Sequence, residues 1–110
     1  MTRHSWTYTT WPDPDTAKAA AAELVEARLC ACANILPGMT SVYRWQGEIE
    51  TAAETVMILK TSRDRAAALC DRIVALHPYD EPCVLSLPVE AAGSAADFLA
   101  WIEAETRDPA

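Results

Sequence analysis

Apolar and polar residues change rhythm several times along the chain, and each change marks an element. From Ser5 to Thr10, Trp6, Tyr8 and Thr10 alternate with Ser5, Thr7 and Thr9, the period of a strand. Trp11-Pro12-Asp13-Pro14-Asp15 interrupts it. Asp13 is placed to cap a helix that has Pro14 at its first position and Asp15 in its first turn. That helix is predicted to reach about Arg28, with Ala17, Ala20, Ala21, Leu24 and Val25 on its apolar side. Cys30 to Leu36 reads as a second strand ending at a Pro37-Gly38 turn, and Thr40 to Trp45 as a further extended segment. After a Gln46-Gly47 turn, Glu48 to Thr61 returns as a long strand. Val56, Ile58 and Lys60 share one face of it, and Thr55, Met57 and Leu59 share the other. Both faces are apolar enough to need cover.

Ser62 is placed to cap a second helix from about Arg63 to Leu76, buried through Ala66, Leu69, Cys70 and Ile73. Val84 to Val89 reads as a short strand, with Pro88 marking an edge or an end. Ser94 and Asp97 are spaced as a capping box for a last helix carrying Phe98, Leu99, Trp101 and Ile102. The tail from Thr106 to Ala110 is expected to fray. The order β-α-β-β-α-β-α is that of an α+β, ferredoxin-like split βαβ domain with an added C-terminal helix. It predicts a four-stranded antiparallel sheet with helices over one face. The other face would need cover from further subunits.

Composition narrows this picture. A length of 110 residues fits one domain spanning 1–110. Apolar residues are 51% of the chain, but many are alanines that bury little area, which again favours help from subunit contacts. The net charge of −7, with basic residues scattered, argues against a nucleic-acid partner. Met1 to Trp11 lacks the apolar core of a signal peptide, and no apolar run approaches a membrane span. A cytoplasmic protein is expected. The cysteines Cys30, Cys32, Cys70 and Cys83 form no C-x-x-C pair and are expected to remain thiols.

The candidate chemistry centres on His77-Pro78-Tyr79-Asp80-Glu81-Pro82-Cys83. Its prolines hold His77 and Glu81 extended, giving a stiff polar platform between helix and strand. His77 is a candidate ligand or proton carrier, or simply a helix terminator. Cys30 and Cys32, two apart on the predicted strand, would face one way as a soft-cation pair or serve as small core residues. Lys60 ends an apolar strand and either snorkels to water or meets an acid in a cleft, with Glu48, Glu54, Asp80 and Glu81 as partners. Tyr43, Trp45 and Tyr79 would line a flat pocket or anchor a subunit interface. No nucleophile elbow, glycine-rich phosphate loop or H-E-x-x-H is present.

Several segments together resemble the CutA1 family of divalent-cation-tolerance proteins. They are Leu24 to Leu29, Ala31 to Ile35, Pro37-Gly38, Ser41 to Gly47, Glu54 to Thr61, His77-Pro78-Tyr79 and Pro82. The resemblance implies a ferredoxin-like fold, a tight homotrimer akin to the PII signalling proteins, and a role in metal tolerance. It also supports Lys60 as a cleft residue. Family members usually carry glutamate where this chain has Cys83, and an aliphatic residue where it has Glu81. Copper ligands assigned in some members fall here on Thr9, Leu76 and His77, of which only His77 matches. These residues define the expected site: Lys60, Tyr43, Trp45 and Tyr79 for a small ligand, and His77, Cys83 and Glu81 for weak binding of a divalent ion, copper foremost. The expected function is a non-enzymatic, cytoplasmic trimer binding a metal or small ligand between subunits, with no nucleic-acid or membrane partner. The alternatives are a small-molecule enzyme using His77 or Asp80 as acid–base group, and a structural trimer that anchors another protein.

Overall fold

Alternation in the first strand produces an inverted surface. In the computed structural model, which describes residues 2–108, β1 spans His4–Trp11. Thr7 and Thr9 on one face are 1% and 0% exposed, whereas Trp6 on the other is 42% exposed. The hydroxyls lie under the helices, and the aromatic residue faces out. α1 (Pro14–Glu26) and α2 (Ala66–Leu76) cover the hydroxyl side. There Trp11, Ala17, Leu24, Met57, Leu59, Leu69 and Ile73 make the main core. β2 (Cys32–Trp45), β3 (Glu48–Ser62) and β4 (Val84–Val89) complete a sheet of order β2-β3-β1-β4, antiparallel throughout. This is the expected α+β topology.

Local chemistry accounts for the boundaries. The Asp13 side chain accepts from the Thr16 amide at 2.8 Å, and Pro14 starts α1 as expected. That amide hydrogen bond holds the Asp13 carboxyl below its ordinary range. α1 stops two residues before the expected Arg28. The Arg28 amide donates to Val25 O at 3.0 Å, the Leu29 amide to Leu24 O at 3.1 Å, and Arg28 takes φ +60°. This is a Schellman ending, with arginine in the position glycine usually fills. Val25, expected on the buried side, is exposed.

Three further expectations are corrected. Ser62 does not cap a helix with its side chain. A 3₁₀ turn, Arg63–Arg65, follows it, and its hydroxyl instead meets Thr106 Oγ1 at 2.8 Å. Thr106 is therefore buried rather than frayed, while Pro109 and Ala110 of the expected tail lie outside the described residues. The capping box at Ser94 and Asp97 does not form, because Ala95 is the N-cap of α3 (Ala96–Glu105) and the Ser94 hydroxyl donates to Glu90 O.

α3 does not join the other helices. Lys60 shares its sheet face with Trp6 and Cys32, away from Met57 and Leu59, and its Nζ sits 5.5 Å from the centroid of the Phe98 ring. His4, on that same face, has Nε2 3.1 Å from Leu99 O. α3 thus covers one end of the face opposite α1 and α2. The rest of that face stays open, with Leu36, Leu85 and Leu87 exposed beside Trp6.

The Pro37-Gly38 expectation is also changed. β2 runs straight through it with a bulge between Leu36 and Met39, where Gly38 has φ +82°. Beyond the bulge, residues 39–45 pair with 48–54 as a two-stranded arm that β1 does not accompany, since the β1 register ends at Trp11 and Thr55. Gln46 and Gly47 close the arm with φ of +50° and +83°, the signs of a type I′ hairpin. The arm lengthens the molecule to a Cα radius of gyration of 14.7 Å. A compact chain of this length would have about 13 Å.

Candidate ligand cleft

The bulge decides what the arm presents. Before it, Cys32, Asn34 and Leu36 pair with Lys60, Ile58 and Val56 on the open face. One extra residue then inverts the alternation. Met39, Ser41, Tyr43 and Trp45 now pair with Glu54, Ala52, Glu50 and Glu48 on that face. The segment after α2 folds toward the same place. Pro78 forces His77 out of helix, to φ −74° and ψ +138°, as expected.

Between arm and segment lies a cleft of about 730 Å³, lined among others by Tyr43, Trp45, Glu50 and Glu54 of the arm. Tyr8 and Thr10 form its floor, and Tyr79, Asp80, Glu81 and Cys83 its other wall. The Tyr79 hydroxyl donates to Glu54 Oε2 at 3.2 Å, and the Tyr43 hydroxyl to Glu50 Oε2 at 3.4 Å. Desolvation, followed by the charge of the neighbouring glutamate, pushes both phenols above their ordinary range, so they remain donors. Burial likewise raises the Cys83 thiol, with Glu54 adding to the effect and a Thr10 hydrogen bond opposing it.

His77 lies behind this cleft and does not line it. Its ring is 8% exposed and stacks on Trp11 with centroids 4.2 Å apart. Nε2 donates to Thr10 O at 2.7 Å, and Nδ1 accepts the Tyr79 amide at 3.1 Å. Both nitrogens are engaged, so the imidazole offers no free lone pair to a metal. It fastens the Tyr79 segment to β1. Among the described residues, no group of three or more His, Cys, Asp and Glu side chains is gathered for a metal. Glu81 and Cys83 share the cleft, but His77 does not join them. A copper site built on His77 therefore does not fit this chain.

The remaining candidates divide. Tyr43, Trp45 and Tyr79 all line the cleft, as expected for a ligand pocket. Lys60 lies four residues along β3 from Val56, beside Phe98 rather than in the cleft. Cys30 precedes β2 and is buried in the main core, while Cys32 lies on the opposite face. They are not a pair on one face of a strand. Burial, aided by Cys32, pushes the Cys30 thiol up to about 12, which suits a small core residue. Thr9, at a position the resemblance linked to copper, is fully buried. It accepts from Trp11 Nε1 at 2.7 Å and donates to Met57 O at 2.8 Å. Sequence reasoning missed Tyr8 and Glu50. Glu50 was within reach, because a two-residue turn at Gln46-Gly47 places it opposite Tyr43.

Residues 5–105 match the family described as CutA1 divalent ion tolerance protein. The chain belongs to the CutA1 family. It is 42% identical over 97 residues to the divalent-cation tolerance protein CutA of Thermus thermophilus, covering 88% of this chain and 92% of that one. Its CutA counterpart in Salmonella newport is 43% identical over 98 residues, covering 89% and 84%. Among solved structures, CutA from Xylella fastidiosa superposes with a TM-score of 0.92 at 36% identity, covering 96% of this chain and all of that one. A protein from Archaeoglobus fulgidus, described as a periplasmic divalent cation tolerance protein, superposes with a TM-score of 0.89 at 36% identity, covering 94% and 99%. Family membership accounts for the shared overall fold. It establishes divalent-cation tolerance as the family's described role.

Proposed function

We propose that this protein acts in divalent-cation tolerance as a non-enzymatic, PII-like homotrimer that binds a metal ion or small ligand in the cleft between arm and Tyr79 segment. One observation carries the reading: the cleft opens onto an uncovered apolar sheet face. Trp6, Leu36, Leu85 and Leu87 are each more than two-fifths exposed there. A contiguous outward patch of this kind marks an interaction surface. Tyr8 and Thr10 belong both to that face and to the cleft floor. A neighbouring copy seated on the face would wall the cleft. Val42 and Ile49, 68% and 60% exposed on the opposite face of the arm, offer a second apolar contact surface.

The enzyme alternative loses His77 as its acid–base group, because that ring is committed to Thr10 and Tyr79, and is left with Asp80 on the cleft wall. The four free cysteines suit a reducing compartment, and we place the protein in the cytoplasm. Cell fractionation showing it outside the cytoplasm would reverse that placement. Among the described residues, no helix is long and apolar enough to cross a membrane.

Light scattering at micromolar concentration tests the assembly, with a mass of three chains expected. A monomer would end the trimer part of the reading. Copper titration of wild type and a Cys83→Ser/Glu81→Gln variant tests the metal part. Weakened binding in the variant is expected, and equal affinity would remove both residues from any metal site.

A further inference from the structure

The cleft has a chemical bias that a bare metal ion does not explain. Its walls include the rings of Tyr43, Trp45 and Tyr79, and its lining contains no lysine, arginine or histidine. The acids that share it, Glu50 and Glu54 on β3 and Asp80 and Glu81 opposite, have no ion-pair partner among the described residues. Every ion pair found lies elsewhere, on Glu23, Glu103, Glu105 and Asp108. Anionic ligands are disfavoured in such a space. A hydrated divalent ion would match the charge, but would gain nothing from aromatic walls and finds no gathered ligand set. A cation with an aliphatic body matches both features. Its ammonium groups meet carboxylates and ring faces, and its methylenes lie on the aromatic surface.

We infer that this cleft binds a linear aliphatic polyamine, held by Glu50 and Glu54 at two points along β3 and stacked against Tyr43, Trp45 and Tyr79. Glu50 and Glu54 lie on the same face, about 14 Å apart along the strand at ~3.4 Å per residue. That separation suits an extended chain with amines at both ends better than a point charge. The Tyr43 and Tyr79 hydroxyls orient these carboxylates through the bonds already described, so the acids are positioned before a ligand arrives. The cavity of about 730 Å³ is within the range of small-molecule sites. The inference rests on the reading of this cleft as the binding site and assigns its ligand class.

The test is calorimetry on the full chain as purified, at about 0.15 M salt so that diffuse attraction is screened. The probes are spermidine, the neutral 1,5-pentanediol, and magnesium chloride. Spermidine is expected to bind once per chain, with the diol and magnesium at least tenfold weaker. Glu50→Gln/Glu54→Gln is expected to weaken spermidine at least tenfold, and Trp45→Leu about fivefold. Glu26→Gln/Asp71→Asn removes the same charge from exposed positions outside the cleft and is expected to leave affinity unchanged. Equal loss in both double variants would show attraction to net charge alone and overturn the inference. So would wild-type affinity in Glu50→Gln/Glu54→Gln, or absence of spermidine binding. Light scattering on the same samples separates the two readings. A trimer that ignores spermidine defeats this inference only, whereas a monomer that binds it defeats the assembly only.

Discussion

Buried polar residues do the exacting work at the smallest scale. Thr9 is fully buried, yet its hydroxyl closes a relay from the Trp11 indole to the Met57 carbonyl. Thr9→Val keeps the shape and strands the indole N–H, so a loss of about 1–3 kcal/mol is expected in urea unfolding. An unchanged midpoint would show that the relay is dispensable. Cys30 sets a pH dependence. Burial moves its thiol from an ordinary 9.0 to about 12. Below the lower value the thiol is neutral in both folded and unfolded chains and costs nothing. Between the two values only the unfolded chain releases the proton, so stability falls as pH rises, by up to ~1.4 kcal/mol per pH unit. Cys30→Ala should flatten this fall between about pH 9 and 12, read as urea midpoints at successive pH values. The other raised groups, Cys32, Cys83, Tyr43 and Tyr79, leave a residual slope of the same sign.

Among the elements, β2 carries the most consequence per residue. Its bulge at Pro37-Gly38 determines which side of the arm Tyr43 and Trp45 occupy. Deleting Gly38 should restore plain alternation and turn both aromatics away from the cleft. The expected signs are a protein that keeps its helices by circular dichroism but loses Tyr43 and Trp45 contact with any cleft ligand. Retained fluorescence quenching of Trp45 by a cleft ligand would argue that the arm simply shifts register. The helix-to-strand segment is legible for a different reason. Pro78 excludes helix at His77 whatever surrounds it, so that boundary follows from local sterics. The role of His77 does not follow locally, because the Thr10 carbonyl that engages it is 67 residues away in the chain.

For the molecule as a whole, the outward face of the sheet governs behaviour. An open surface bearing Trp6, Leu85 and Leu87 couples folding to assembly, so melting should rise with protein concentration. A Leu85→Lys/Leu87→Lys variant should shift the mass toward one chain and lower the melting temperature, with helicity by circular dichroism reporting whether the chain still folds. A concentration-independent melt in the wild type would speak against a coupled trimer. α3 limits the open area, since it covers the end of the face where His4 and Lys60 lie.

Order and kind of element were set by the chain itself. Alternation, the Asp13-Pro14 cap, the Gln46-Gly47 turn and Pro78 act over a few residues, and local sterics and hydrogen bonding suffice to enforce them. Tyr43, Trp45 and Tyr79 were legible as a set for the same reason, as aromatic residues beside polar turns. Facing and partnership were decided only by tertiary structure. Alternation in β1 names two faces but cannot say which one the helices cover, and packing chose to bury the threonines. The bulge needed the β3 register before its inversion of the arm had meaning. His77 needed a carbonyl and an indole from β1 to become a fastener instead of a ligand. Each of these outcomes depends on contacts between segments far apart in the chain, and no local pattern carries that information.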